Sequence, residues 1–168
     1  NIRFPRIFLA ILVGVGLATS GAILQGLFRN PLIDPGFIGV SSGAAVGAMI
    51  AIMFSNLLSF FITSFLYSFI LPILAILGSF LTTIIVYRMS KIFNKTNILA
   101  MLLSGIAVNA LAGALIGLFV SISNDVQLRT FTFWTLGGLD NANWFVLLIT
   151  SIFILFPFIY VYKKKNEL

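Results

Sequence analysis

Asp34, Asp125, Asp140 and Glu167 are the only acids in this 168-residue chain, which has no cysteine and no histidine. A Ser-His-Asp or Cys-His nucleophile, a zinc or iron–sulfur site, His-ligated haem and a disulfide framework each need residues that are missing. No acid lies in the centre of an apolar run, so a proton- or sodium-coupled carboxylate relay has no carrier. The glycines between Gly14 and Gly26 invite a nucleotide-binding reading. They sit inside an uncharged apolar stretch rather than between a strand and a helix, and no Gly-Lys-Ser/Thr follows them. The chain is therefore expected to be no enzyme and to hold no metal or cofactor of its own. The polar groups left for recognition are few: Arg3 and Arg6 at the start, Gln25, Asn30 and Asp34 together, and Ser104 and Asn109 within one apolar run.

Composition dictates the elements that must hold these residues. Sixty per cent of the chain is hydrophobic, 8% is charged and the mean hydropathy is +1.14, which belongs to a membrane protein. The net charge of +6 comes from cations placed between apolar runs, where they report topology and give no evidence for nucleic acid. A helix needs about 20 apolar residues to cross roughly 30 Å of hydrocarbon. Uncharged stretches of that order run over 7–28, 35–87, 96–124 and 141–162. The second is long enough for two spans, with turn signals at Ser55, Asn56 and Ser59. The expected fold is an all-α polytopic transmembrane bundle with about five spans, near 7–28, 42–57, 65–88, 97–120 and 144–162.

Five spans put the ends on opposite sides. With Arg3 outside, Arg29, Arg88, Lys91, Lys95 and Lys163–Lys165 fall in the cytoplasm, seven against Arg3, Arg6 and Arg129 outside; the positive-inside rule selects this orientation. Between the last two spans, 125–137 is expected to form a short interfacial helix or an irregular loop, with Trp134 and Trp144 at the membrane–water boundary. The start without Met and the end just after an apolar run suggest a fragment, as does an outside N-terminus without an earlier span.

Small residues at four-residue spacing permit close helix packing in lipid. They recur as Gly14-Ala18-Ala22, as Gly43-Gly47-Ala51 and as Gly105-Asn109-Gly113-Gly117, and are read as packing faces of a helical bundle. Asn109 must find a partner or face water, so interhelical glue and pathway lining stand side by side. In Arg29-Asn30-Pro31-Leu32-Ile33-Asp34-Pro35-Gly36 two prolines and a glycine stop any helix. A buried structural turn is preferred here over a re-entrant or broken-helix element lining a wet cavity. Pro72 is expected to start a helix and Pro157 to kink one.

These residues also carry a resemblance. Arg3-Phe4-Pro5-Arg6, then Gly21 to Asn30-Pro31-Leu32-Ile33-Asp34-Pro35-Gly36-Phe37-Ile38-Gly39-Val40-Ser41-Ser42-Gly43, resemble permeases of the FecCD type. Leu103-Ser104-Gly105 and the stretch from Asp125-Val126-Gln127-Leu128-Arg129 through Trp134, Gly137-Gly138 and Trp144 extend it over the whole chain. Members are the transmembrane subunits of ABC importers for iron–siderophore complexes, haem and vitamin B12. The resemblance implies helices two to six of a ten-helix subunit, in a bacterial inner membrane. It further implies a second permease subunit, cytoplasmic ATPase subunits that bind the ATP, and an extracytoplasmic substrate-binding protein. Arg3 and Arg6 match arginines that pair with acids on that binding protein; as residues alone, the preferred reading is that they are interfacial anchors. Ser104 and Asn109 match the helix along the translocation path, and Thr96 and Asn97 fall near the cytoplasmic gate. Iron–siderophore cargo is the expectation, with haem or vitamin B12 as the alternative within the family and a channel or secondary transporter outside it.

Overall fold

The computed structural model describes residues 3–55, 64–92 and 95–163. Six α-helices are found there: α1 (Arg3–Phe28), α2 (Val40–Met53), α3 (Ser64–Met89), α4 (Ile98–Ile122), α5 (Asp125–Leu136) and α6 (Trp144–Lys163). A 3-10 turn, Pro35–Ile38, precedes α2, and the two-residue strands β1 (Lys91–Ile92) and β2 (Lys95–Thr96) pair antiparallel between α3 and α4. Segments within α1, α3, α4 and α6 are long and apolar enough to cross a membrane. The contacts divide the chain into two units, Asp34–Leu136, and Asn1–Ile33 with Gly137–Leu168.

The unit Asp34–Leu136 is built around α2. The Asp34 carboxylate accepts from the Gly36 amide at 2.7 Å and so caps the 3-10 turn, which ends at Gly39 with φ +83°. Only glycine takes that left-handed conformation without a steric cost, and from it α2 begins. At 14 residues α2 is about 21 Å long, shorter than the hydrocarbon core. Where a second span is expected at 42–57, the described helix α2 covers 40–53, with the 3-10 turn before it. Its expected end at Leu57 and the turn signals Asn56 and Ser59 lie outside the described residues.

Gly43, Gly47, Ala48, Met49, Ala51 and Ile52 bury α2 against α3. A Cβ at Gly43 would run into Thr82 and the Gly78 carbonyl, one at Gly47 into the Leu74 carbonyl, and one at Gly78 into the Gly43 carbonyl. Backbones come this close only where side chains are absent. Pro72 lies inside α3 rather than at its start, because helix-breaking residues are tolerated in a membrane helix whose neighbours compensate the lost bond.

At the other end of α4 a reciprocal box starts α5. Asn124 Oδ1 accepts from the Gln127 amide at 2.9 Å, and Gln127 Oε1 accepts from the Asn124 amide at 3.0 Å, leaving two helix-start donors satisfied. Gln127 Nε2 also donates to the carbonyl of Met53, the last residue of α2, at 3.2 Å. One side chain thus starts α5 and ends α2. The 125–137 segment is a helix over 125–136, and its irregular-loop alternative is set aside.

In the other unit α1 runs 26 residues from Arg3, with Pro5 in its first turn, where a missing amide costs nothing. It ends in a paired closure: Asn30 N–H donates to Gln25 O at 3.1 Å and Arg29 N–H to Gly26 O at 3.3 Å, with Arg29 at φ +50°. That is a Schellman end with arginine where glycine is usual. Asn30 Oδ1 then accepts from Leu32 N–H at 3.0 Å, turning the chain through Pro31. Helix α6 is capped by Asn143, whose Oδ1 accepts from Val146 N–H at 2.8 Å, and holds Pro157 in its interior.

Candidate functional site

The turn Pro35–Gly39 leaves backbone carbonyls outside regular helix, beside helices long and apolar enough to cross a membrane, and such carbonyls need partners where they are buried. Side chains from α2, α3 and α4 supply them. Asn109 Nδ2 donates to Gly36 O at 2.9 Å, while its Oδ1 accepts from Ser42 Oγ at 2.6 Å. Thr82 Oγ1 reaches Gly39 O at 2.8 Å. One turn before Asn109, Gly105 packs directly on the Phe37 carbonyl, which leaves no room for a Cβ. Gly105 and Asn109, four residues apart and on one helix face, form a seat and a clamp for the turn. Both ends of the Asn109 amide are spent on protein partners, and of its two sequence readings the geometry supports interhelical glue.

By resemblance, Ser104 is expected beside the path. It is 6% exposed, with its hydroxyl donating to Met101 O at 3.0 Å and lying 3.4 Å from Val86 O. In this chain it belongs to the contact between α3 and α4, together with the buried Val86 and Ser90, and not to an open face. Thr96 is exposed and pairs with Lys91 across the small hairpin. Asn97 caps α4: its Oδ1 accepts from Ala100 N–H at 3.0 Å, and its own amide donates to Ser90 O at 3.0 Å. Sequence reasoning anticipates neither strand nor cap, although an asparagine directly before an apolar helix is a usable signal for the cap.

In the other unit Arg3 is exposed, and among the described residues no ion pair engages it. Arg6 is engaged. Its Nε donates to Leu139 O at 3.2 Å and its terminal nitrogen lies 3.7 Å from the Asp140 carboxylate. The first two expected site residues therefore differ in availability, although the sequence presents them as a matched pair.

Sequence reasoning missed Thr82, Ser42 and Gln127. Each is an ordinary polar residue in apolar surroundings, and only the stranded carbonyls opposite mark them. Among the described residues no group of three or more His, Cys, Asp or Glu gathers. The unit around α2 has an apolar groove of about 440 Å³ between α3 and α4, floored by Gly43 and Gly47, and a second cavity of about 400 Å³ bordered by Ile52, Leu71 and Gln127.

The chain is similar in sequence and fold to known proteins. A solved metal-chelate type ABC transporter in an inward-facing conformation superposes on 98% of this chain with a TM-score of 0.81 and 34% sequence identity; the match covers 49% of that chain. The hemin transport system permease protein HmuU of Yersinia pestis is 47% identical over 155 residues, 92% of this chain and 45% of HmuU. The molybdate import system permease protein MolB of Haemophilus influenzae is 39% identical over 160 residues, 95% of this chain and 43% of MolB. The vitamin B12 import system permease protein BtuC of Escherichia coli is 36% identical over 144 residues, 86% of this chain and 41% of BtuC. The chain spans less than half the length of these curated relatives. A profile of the FecCD transport family matches residues 1–168, and with membrane-length helices and a matching solved fold beside it, the chain belongs to the FecCD transport family.

Proposed function

We propose that this chain is the membrane-embedded permease part of an ATP-driven importer that passes a metal chelate across the inner membrane. The observation that carries the reading is the fold match over 98% of the chain to a metal-chelate type ABC transporter. The chain makes no covalent bond to its cargo. ATP is hydrolysed on separate cytoplasmic subunits, and a second permease subunit completes the path. Rigid-body rocking of the two subunits would open the path to either side in turn. The positive-inside count supports an outside start for α1 and a cytoplasmic β1–β2 hairpin, which would put Thr96 and Asn97 at the inner gate.

An extracytoplasmic binding protein would dock at the outer end of α1 through acidic side chains. Arg3 is the better-placed partner because Arg6 is already engaged by Leu139 and Asp140. Exposed guanidinium groups bind carboxylates in a two-pronged geometry and steer encounter by charge. Without central acids, His or Cys, the path would be a low-affinity tube of polar and apolar walls, with specificity set mainly by the binding protein.

Iron–siderophore complexes are the cargo we favour within the chelate class. Haem is the second reading, favoured by the 47% identity to HmuU. Uptake of radiolabelled ferric siderophores, haemin and cobalamin would be measured in cells carrying the intact protein, with and without a Walker A substitution in the companion ATPase. ATPase-dependent uptake of a ferric siderophore alone supports the favoured cargo, and of haemin alone the second. Uptake that survives the ATPase substitution would overturn the importer reading and favour a channel or secondary transporter.

A further inference from the structure

We propose that Asn109 is a positioning residue which holds the helix break Pro35–Gly39 on α4, so that the break and α4 shift as one piece during transport. The turn itself supplies the first constraint. Gly36 O already accepts the 3-10 bond from Gly39 N–H at 3.1 Å, and its second lone pair faces the Asn109 amide at 2.9 Å. The amide is fixed in turn by Ser42 from the first turn of α2. A bond on each side of the break, from one side chain of a third element, ties the residues before Gly39 and those after it to the same point on α4.

Geometry leaves little slack around that point. Gly105 sits on the Phe37 carbonyl, and Asn109 Oδ1 is 3.7 Å from where a Gly39 Cβ would stand. Thr82 holds Gly39 O from the α3 side. No buried side-chain nitrogen or oxygen among the described residues is left without a partner. Removing the Asn109 amide leaves Gly36 O with only its bond from Gly39 N–H and the Ser42 hydroxyl with only Gly39 O at 3.1 Å, so both ties to α4 are lost and the turn regains freedom where it leans on that helix.

These 168 residues have no cysteine, and any cysteine elsewhere in the intact permease is replaced by serine beforehand, so that a labelling test runs without background. Ile38, on the same turn, is 5% exposed, so a thiol placed there by Ile38→Cys reacts only when the turn opens. N-ethylmaleimide would be reacted with the intact permease in lipid nanodiscs, with each rate taken relative to the Ile38→Cys parent at the same pH. Adding Asn109→Leu, similar in size but without the amide, is expected to raise the rate about tenfold as the turn opens more often. Ser42→Ala, which removes one of the two bonds, is expected to raise it less.

Asn109→Asp supplies a readout that loss of packing would not move. Its carboxyl can donate to Gly36 O only when protonated, so the rate ratio should fall towards one as pH is lowered. The side chains facing it, Ser42 and Thr82, do not titrate, and Asp34 on the same turn is present in the parent and cancels. An unchanged rate in Asn109→Leu, or a pH-independent ratio in Asn109→Asp, overturns the proposal. Should Asn109→Leu fail to accumulate, Asn109→Ala removes the amide without adding bulk and is judged by the same rates.

A second arm rests on the permease reading. In the assembled importer, Asn109→Leu is expected to consume several times more ATP per cargo molecule imported, at unchanged permease level. Unchanged coupling alongside faster labelling would refute the claim that the break and α4 move together. If wild type imports nothing, the permease reading fails while the labelling result stands on its own.

Discussion

Along α2 and α3, Gly43, Gly47 and Gly78 touch backbone across the helix contact, whereas along α1 no described atom comes within 4 Å of a Cβ built at Gly14, Gly21 or Gly26. Both stretches carry the small-residue spacing that permits close packing in lipid. In one unit that spacing is used up by a neighbour within the chain; in the other, along α1, only Gly16 meets one, with the Ile154 side chain 3.4 Å from its would-be Cβ. Helix α4 contains both cases, since Gly105 is sealed by the Phe37 carbonyl while Gly113 and Gly117 stand in open space. A small-residue stripe thus states that close approach is possible. Whether anything approaches is decided elsewhere.

The sharpest way to break this contrast is a bulky residue in the sealed contact. Gly47→Leu is expected to destabilise the intact protein by about 3 kcal/mol or more, since a rigid carbonyl stands in its way, and to abolish accumulation in membranes on an immunoblot; normal accumulation would mean that the α2–α3 contact is looser than described. Gly105→Ala should cost somewhat less, about 2 kcal/mol, because the turn it presses is shorter than a helix. Thermal unfolding of the purified protein, followed by size-exclusion of the surviving fraction, measures it. For Gly16→Ala the neighbour is the flexible tip of Ile154, and a change within about 0.5 kcal/mol is expected in the same assay; a loss as large as that of Gly105→Ala would erase the distinction between the units. The smallest effect falls on the exposed pair Arg6 and Asp140. Asp140→Asn should shift stability by less than about 0.5 kcal/mol, and any shift should shrink further in high salt.

Much of the architecture is legible because hydrocarbon imposes a blunt length requirement. The apolar runs around α1, α4 and α6 mark those helices to within a few residues, whereas the pairing of Asn124 with Gln127 that starts α5 goes unread, and helix and loop both stay open there. The second span differs in extent from its expectation because its uncharged run continues through the break, and hydropathy does not register a backbone that turns at Gly39. The β1–β2 hairpin is silent in the sequence since two residues per strand leave no period to read. Ser104 is assigned by its place in a motif, and the motif does not say towards which neighbour a hydroxyl on a helix turns.

By itself the sequence determined those properties that depend on residue type alone. The missing Cys and His removed whole classes of chemistry, and the long uncharged runs required membrane helices. The cation pattern argued for one orientation, and the motif around Asn30–Gly43 pointed to the FecCD resemblance. Tertiary structure decided which glycines are contacts, that Asn109 is bonded at both ends, that Gln127 ends α2 as well as starting α5, and that Arg6 is engaged while no ion pair among the described residues holds Arg3. The physical reason is common to all four. A polar group or a missing side chain in a membrane helix has its value set by the atom opposite. For the bonds of Asn109, Gln127 and Arg6 that cross between elements, that atom is 67 to 133 residues away in the chain, beyond the reach of any local pattern.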